Sequence, residues 1–254
     1  MIGYPVQVLP PHERPLLSNR IGPNPGPGHP QHCKPTNPRE DLRSDPRTGC
    51  RGCRASWGRC DWPVLYEHSP RFVAIEKAAA LANRLPPFVT PVLLFVNASA
   101  EQVSKAIDLV PGATLQFHGD ETPSECLKLS LGRPFLRAAR IPPGEAGRGF
   151  DLVKYVSDYS SAQAILLDTL TEGFGGGGKI FEWSLLPPSV NSHLVLSGGL
   201  TPANVNDGIL QVRPRCKSLA VDVSSGVEAA KGIKDAVKIN QFIAAVRAAD
   251  QSHV

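Results

Sequence analysis

Residues 193–228, HLVLSGGLTPANVNDGILQVRPRCKSLAVDVSSGVE, form the stretch that decides the fold. An apolar run leads into Gly198 and Gly199, a segment of helical period follows, and a second apolar run leads into Ser225 and Gly226. Apolar runs that scarcely alternate are typical of parallel strands covered on both faces. The stretch therefore predicts a strand–helix–strand unit in which each strand ends in a glycine turn.

The same alternation extends back to residue 64. Strands are predicted near Val64–Tyr66 and at Val92–Val96, Thr114–Phe117, Phe135–Ile141, Ala164–Leu167, His193–Leu196 and Leu219–Val223. Helices are predicted at Ile75–Leu85, Ala100–Leu109, Ser124–Leu131, Leu152–Ser157, Pro202–Val212 and Ile233–Ala249. One more βα unit would complete an α/β fold of the (β/α)8 TIM-barrel type over residues 64–254. The rival, an open doubly wound sheet, lacks the glycine fingerprint expected after its first strand.

Residues 1–63 break this pattern. They hold 12 of the 25 prolines, four of the six cysteines and the whole surplus of four positive charges. Prolines this dense exclude regular helix and central strand. We expect a disordered basic arm over residues 1–39, and a first βα unit that is disrupted or replaced by the Pro/Arg/Cys-rich segment that follows. A zinc module built on Cys50 and Cys53, with Cys33, Cys60 or His68, is the competing interpretation.

The composition excludes several classes of protein. No uncharged apolar stretch reaches the roughly 18 residues of a transmembrane helix. No basic region with an apolar run opens the chain, so we expect neither a secretion signal nor a membrane partner, and a cytoplasmic location. Aromatic residues are only 6%, and residues 64–254 carry no net charge, which argues against a nucleic-acid partner.

The chemistry of such a barrel lies at the carboxyl ends of its strands. Glycine turns there let backbone N–H groups approach a phosphate, which favours a phosphate site at the last two strands and at the glycine run 175–178. Asp168 closes an apolar strand and is either a general acid or a cap. His118 is expected to order loops or lie beneath a substrate, and Asp222 to be structural.

In this order, the motifs resemble the phosphoribosylanthranilate isomerase family of tryptophan biosynthesis. The resemblance rests on residues 69–73, 91–97, 115–119, 167–169, 175–183, 197–205 and 222–228. It implies an aldose–ketose isomerase that performs an Amadori rearrangement, with Asp168 as general acid and Arg71 and His118 binding the substrate. It implies phosphate binding by Gly176, Gly178, Gly198, Gly199, Ser225 and Gly226. Gly177 departs from the family, which has a small hydroxyl residue there.

The family's general base, a cysteine in the string KICGLTR at the end of its first strand, is absent from this chain. Codons for residues 40–47, EDLRSDPR, can encode KICGLTR when they are read one base later. Read in the same shifted frame, residues 56–63 permit AGADAIGL, and Trp57 and Trp62 are each forced to become glycine. We therefore hypothesise that residues 40–63 are an out-of-frame translation of the family's first βα unit.

Three functions stay open at this point. The chain is the isomerase, or a catalytically impaired or inactive barrel without its base, or another phosphate-binding barrel enzyme. In each case we expect a phosphorylated small molecule as partner, no cofactor and no metal. The chain is expected to be a monomer or a homodimer.

Overall fold

The computed structural model describes residues 6–8, 60–61, 63–170 and 180–252. Eight strands form one sheet: β1 (Val6–Val8), β2 (Cys60–Asp61), β3 (Thr90–Phe95), β4 (Thr114–Phe117), β5 (Phe135–Ile141), β6 (Ala164–Thr169), β7 (Val190–Leu196) and β8 (Cys216–Val223). Their order is β1-β8-β7-β6-β5-β4-β3-β2. All neighbours from β2 to β8 are parallel, and β1 pairs antiparallel with β8. The curled parallel sheet with its helices is the (β/α)8-barrel fold that the sequence predicts.

In the described part of the chain, six α-helices alternate with these strands: α1 (Ile75–Ala82), α2 (Ala100–Leu109), α3 (Pro123–Ser130), α4 (Leu152–Asp158), α5 (Val205–Val212) and α6 (Ala236–Gln251). The side chain of Ser99 caps α2 in a reciprocal capping box with Gln102. Thr122 and Glu125 form the same arrangement at α3. These caps fix where the helices begin relative to the strands before them.

The strands bury both faces, as their unbroken apolar character requires. Outward side chains such as Leu93, Leu115 and Leu167 pack under the helices in two buried clusters. Inward side chains make a smaller third cluster that fills the interior, formed by Val92, Leu136, Ala138, Ala164, Leu166, Val195 and Ala220.

Side-chain alternation carries the inward set to the mouth of the barrel. Along β6, Ala164 and Leu166 point inward, so Asp168 is the next inward position. The same count along β8 leads from Ala220 to Asp222, and along β7 from Val195 to Ser197. The alternation of side chains along the strands therefore places polar residues at the carboxyl ends, next to the apolar cluster that fills the interior.

Several predicted elements differ from the structure in their bounds, and three of them differ most. Near Val64–Tyr66 the backbone makes only a bridge at Val64, and the adjacent strand is β2. The helix predicted from residue 202 begins at Val205, because Asn204 accepts from the Thr201 N–H and donates to the Gly199 carbonyl, which holds a turn. The helix predicted from Ile233 begins after Asp235, which caps it, and residues 233–234 form strand β10 against β9 (Glu228–Ala230).

The predictions for residues 1–63 lie mostly outside the described residues. Within them, the structure places only β1, β2 and Pro63, and β1 lies beside β8 at one edge of the sheet. No helix in the described part of the chain is both long and apolar enough to cross a membrane.

Candidate active site

A pocket opens at the carboxyl ends of the strands and encloses roughly 730 Å³, including its open mouth. It brings together side chains from five strand ends and from the loop before α1. Its polar lining includes Ser69, Arg71, Gln116, His118, Asp168, Ser197, Asp222, Ser224 and Ser225. The floor is apolar, with Leu94 and Val96 from β3 and its end. Polar groups that converge over an apolar floor are typical of a small-molecule site.

The two glycine turns lie side by side in this pocket. Gly198 and Gly199 have φ angles of +74° and +71°, which side chains rarely adopt. Within the described residues, their N–H groups donate to no backbone carbonyl. A Cβ at Gly226 would lie 1.8 Å from the carbonyl oxygen of Leu200, so the turn after β8 packs directly on the turn after β7. Together these turns form a concave backbone surface suited to an anion.

Asp168 is buried and hydrogen-bonded on both carboxylate oxygens. Oδ1 accepts from the Thr169 N–H at 2.9 Å, and Oδ2 lies 2.9 Å from His118 Nε2. The other ring nitrogen of His118 lies 2.9 Å from the Gln116 amide nitrogen, which can only donate. Nδ1 of His118 therefore accepts, and its Nε2–H donates to Asp168. The imidazole is thus held against the carboxylate in one orientation.

The loop that carries His118 is fixed from below by a buried ion pair. Arg137 Nη1 lies 2.9 Å from Glu121 Oε2 and also donates to the Phe117 carbonyl at 3.0 Å. Glu121 accepts from the backbone N–H groups of Gly119 and Asn97. This network stabilises the turn after β4, so the ring of His118 has a rigid support.

Asp222 lies on the inner face at the end of β8. One oxygen accepts from the Ser197 hydroxyl at 3.0 Å, and the other, Oδ1, is buried without a hydrogen-bond partner among the described residues. Burial raises the pKa of this carboxyl to about 7, although the Ser197 hydroxyl and the charge of Lys234 oppose the shift. The sequence assigned Asp222 to structure alone, and its place in the pocket lining was missed.

Arg71 enters the pocket from the loop before α1 and is held by Glu228. Its Nε and Nη2 atoms lie 2.7 and 2.8 Å from the two Glu228 oxygens, and Lys234 Nζ lies 3.0 Å from Oε1. Burial would raise the pKa of Glu228, but the hydrogen bonds and charges of Arg71 and Lys234 outweigh it and lower the pKa to about 2. Glu228 is therefore a permanent anion between two cations.

The pocket unites most of the predicted site residues: Arg71, His118, Asp168, Gly198, Gly199 and Ser225 line it, and Gly226 packs directly behind. Gly176 and Gly178 lie outside the described residues. Sequence reasoning missed the partners Gln116, Glu228 and Lys234, because only the fold brings them together. Within the described part of the chain, no three His, Cys, Asp or Glu residues form a metal site. Cys33, Cys50 and Cys53 lie outside it.

Cys126 and Cys216 lie away from the pocket lining. Cys126 is buried, and burial raises the pKa of both its thiol and that of Cys216 to about 11. Neither thiol is therefore activated as a nucleophile.

Fold and pocket together define a (β/α)8-barrel enzyme with a small-molecule pocket at its strand ends. A family model described as N-(5'phosphoribosyl)anthranilate (PRA) isomerase matches residues 62–245. The chain belongs to this phosphoribosylanthranilate isomerase family. A relative with that activity in its name, from Leptothrix cholodnii, is 60% identical over 187 residues, which cover 74% of this chain and 80% of the relative.

Solved structures agree with this assignment. The phosphoribosyl anthranilate isomerase of Thermotoga maritima has 35% sequence identity and a TM-score of 0.67, with 78% of this chain and 93% of that chain covered. A second such isomerase, solved with reduced 1-(o-carboxyphenylamino)-1-deoxyribulose 5-phosphate, has 30% identity and a TM-score of 0.62. That comparison covers 78% of this chain and 92% of the other.

Proposed function

We propose that the protein converts N-(5-phosphoribosyl)anthranilate to 1-(2-carboxyphenylamino)-1-deoxyribulose 5-phosphate in tryptophan biosynthesis. The observation that carries this proposal is the convergence in one pocket of a carboxylate, a guanidinium and two glycine turns. The substrate offers a matching set of groups: a ring oxygen to protonate, an aromatic carboxylate and a phosphate.

In this proposal Asp168 is the general acid. It gives a proton to the furanose ring oxygen as the bond from that oxygen to C1′ breaks, and the amine nitrogen forms the Schiff base. His118 donates to Asp168 and holds it in one orientation. A base then removes the proton from C2′. The enolamine loses its hydroxyl proton and gains one at C1′, which restores both catalytic groups.

The geometry of the pocket supports an assignment of the binding residues. Gly198, Gly199, Ser225 and Gly226 receive the phosphate, with Gly176 and Gly178 expected to close over it. Arg71 receives the anthranilate carboxylate, because a planar guanidinium matches a carboxylate with two parallel hydrogen bonds. Binding energy from these two ends positions C1′ and C2′ beside Asp168.

No residue has yet been assigned as the general base that removes the C2′ proton. We propose that it is the cysteine encoded in the shifted frame of residues 40–63, which restores the family's first βα unit. Two observations support this: the forced glycines at Trp57 and Trp62, and a family match that begins only at residue 62. Resequencing of the locus and the mass of the N-terminal peptides test it. A peptide that carries the written residues 40–63 contradicts a sequencing error.

Complementation of a tryptophan auxotroph separates an active from an inactive barrel. The written and the frame-restored chains are compared side by side, each with an Asp168→Asn variant. Loss of a general acid lowers kcat by about 10²–10⁴-fold, so neither Asn variant should support growth. If the frame-restored chain supports growth and the written chain does not, the written chain is the impaired barrel that we expect from its missing cysteine. Full activity of Asp168→Asn contradicts the assigned acid.

The partner in this proposal is the phosphorylated substrate, and the location is the cytoplasm. Another Thermotoga maritima structure is described as monomers generated from a dimeric isomerase, so both states occur for a relative. We expect this chain to be a monomer or a homodimer, which light scattering distinguishes.

A further inference from the structure

We infer that Glu228 and Lys234 make a carboxylate on the substrate's aromatic ring obligatory, because they fix Arg71 in one orientation and leave a buried positive charge for that carboxylate to pair with. This inference rests on the proposed function and deepens it. Glu228 and Lys234 are positioning residues, since they act on the ligand through Arg71.

The orientation of Arg71 follows from which of its N–H groups Glu228 uses. A guanidinium has five N–H donors arranged as two edges. Glu228 takes the edge formed by Nε and Nη2 with both of its oxygens. Among the described residues, no hydrogen bond uses the edge formed by Nη1 and the second Nη2 hydrogen, and Arg71 lines the pocket. A ligand carboxylate can therefore meet Arg71 end-on with two parallel hydrogen bonds.

The charge count gives the second argument. Arg71, Glu228 and Lys234 have side chains that are 8%, 5% and 3% exposed, so water screens them weakly. Within these three residues, two cations and one anion leave a net charge of +1, and Asp222 also acts on Lys234. A buried charge without a partner is costly. A carboxylate on the ligand joins Glu228 as a second anion, so that two anions balance the two cations. A ligand without this carboxylate leaves the net positive charge in place.

Lys234 cannot itself reach the ligand as a free donor. Its ammonium group donates to Glu228 Oε1 at 3.0 Å and to the Ser224 carbonyl at 2.6 Å, and the Ser224 hydroxyl lies at 3.5 Å. Burial lowers the pKa of Lys234, and the charge of Glu228 opposes this shift. The contribution of Lys234 is therefore its charge, together with the hold that it exerts on Glu228.

The cluster is built on a rigid hairpin. Glu228 lies on β9 and Lys234 on β10, where they are register partners. Between them, Gly232 has a φ of +80° and donates its N–H to Glu228 Oε2 at 3.2 Å. A Cβ at Gly232 would lie 3.2 Å from the Pro70 carbonyl, so the hairpin touches the loop that carries Arg71. The hairpin thus controls where the guanidinium lies.

Equilibrium binding of two probes tests the inference without any need for turnover. The probes are reduced 1-(o-carboxyphenylamino)-1-deoxyribulose 5-phosphate and the same compound without its carboxyl group, titrated calorimetrically into the full chain. Loss of a buried ionic partner costs on the order of 2–5 kcal/mol, so we expect the wild type to prefer the carboxylate probe by about 100-fold.

Three variants and one control locate the origin of that preference. We expect Lys234→Met to reduce the preference to below about 10-fold, because it removes the cluster's net charge. Glu228→Gln raises that net charge but releases Arg71, and we expect a similar reduction because the orientation of Arg71 decides the preference. Lys234→Arg keeps the charge and should retain most of the preference. Asp250→Asn, which breaks a partly buried pair with Arg213 between the ends of α5 and α6, should leave the preference unchanged.

Several outcomes overturn the inference. Equal affinity of the wild type for the two probes overturns it without any variant, even if a variant fails to fold. A Lys234→Met protein that melts earlier but keeps the 100-fold preference assigns Lys234 to stability alone. Failure of the proposed function is a separate result, seen as binding of neither probe or as no turnover by the frame-restored chain.

Discussion

Two buried carboxyl groups, six residues apart in the chain, behave in opposite ways. Asp222 at the end of β8 has one hydroxyl partner and one bare oxygen, and burial raises its pKa to about 7. Glu228 on the hairpin that follows is as deeply buried, but contact with two cations lowers its pKa to about 2. Burial alone therefore does not decide the charge of an acid at this mouth. The partners within hydrogen-bond distance decide it.

The difference divides the pocket into two regions. In the hairpin region, contact with Arg71 and Lys234 lowers the pKa of Glu228 and keeps it ionised well below neutral pH. The strand-end region around Asp222 changes its charge near neutral pH, so its electrostatic effect on Asp168 depends on conditions. The same pocket thus contains one carboxylate, Glu228, whose charge is constant near neutral pH, and one, Asp222, whose charge changes there.

The largest effect on this comparison should come from Glu228→Ala. Removal of one partner from a buried ion pair costs about 3–5 kcal/mol, because it leaves Arg71 and Lys234 buried without an anion. Urea unfolding at pH 7 measures the change. In the wild type, the stability that Glu228 contributes is present above about pH 4.5 and is lost as the pH falls toward 2. A loss below about 1 kcal/mol would mean that water screens the cluster.

Asp222 should give the opposite pH dependence. Its pKa is higher in the folded protein than in the unfolded chain, so between about pH 4 and pH 7 only the folded state keeps the proton. The unfolding free energy should therefore decrease as the pH rises through this range, by at most about 4 kcal/mol. Asp222→Asn removes that slope. Parallel pH–stability curves for the wild type and the Asn variant contradict the raised pKa.

The smallest effect should come from Asp250→Asn. Its partner Arg213 is about a quarter exposed, so water screens the pair and the loss should be about 1 kcal/mol or less. Thermal unfolding beside the Glu228→Ala protein measures the contrast. A loss equal to that of Glu228→Ala would show that burial in the hairpin region adds nothing to the strength of its ion pairs.

The strands and most helices could be predicted because hydrophobic period is a local property of the sequence. Strands β4 and β5 and helix α2 have the predicted bounds. The start of α6 could not be placed, because residues 233–234 combine an apolar and a basic residue that also suit a helix. Their extended form depends on a bond from Lys234 to Glu228, which the period of α6 does not encode.

The residues of the candidate site also fall into those that a local sequence pattern indicates and those that it does not. Asp168 and the glycine turns could be found, because a strand end and a glycine pair are visible in a few adjacent residues. The pairing of Arg71 with Glu228 joins residues 157 positions apart, so no local pattern indicates it. The character of Asp222 was missed for a related reason. Its missing partner is a property of the packed interior, and its sequence neighbours are those of any buried strand.

The contact between Gly226 and the Leu200 carbonyl has a consequence for variation in this protein. Because no side chain fits at Gly226, the backbones of the loops after β7 and β8 are in direct contact, and we expect one loop to shift only if the other shifts with it. Insertions in either loop should then be rejected, even where the helices around them tolerate change. In a library of loop variants, we expect the folded members either to keep residues 198–200 and 224–226 unchanged or to change both segments together.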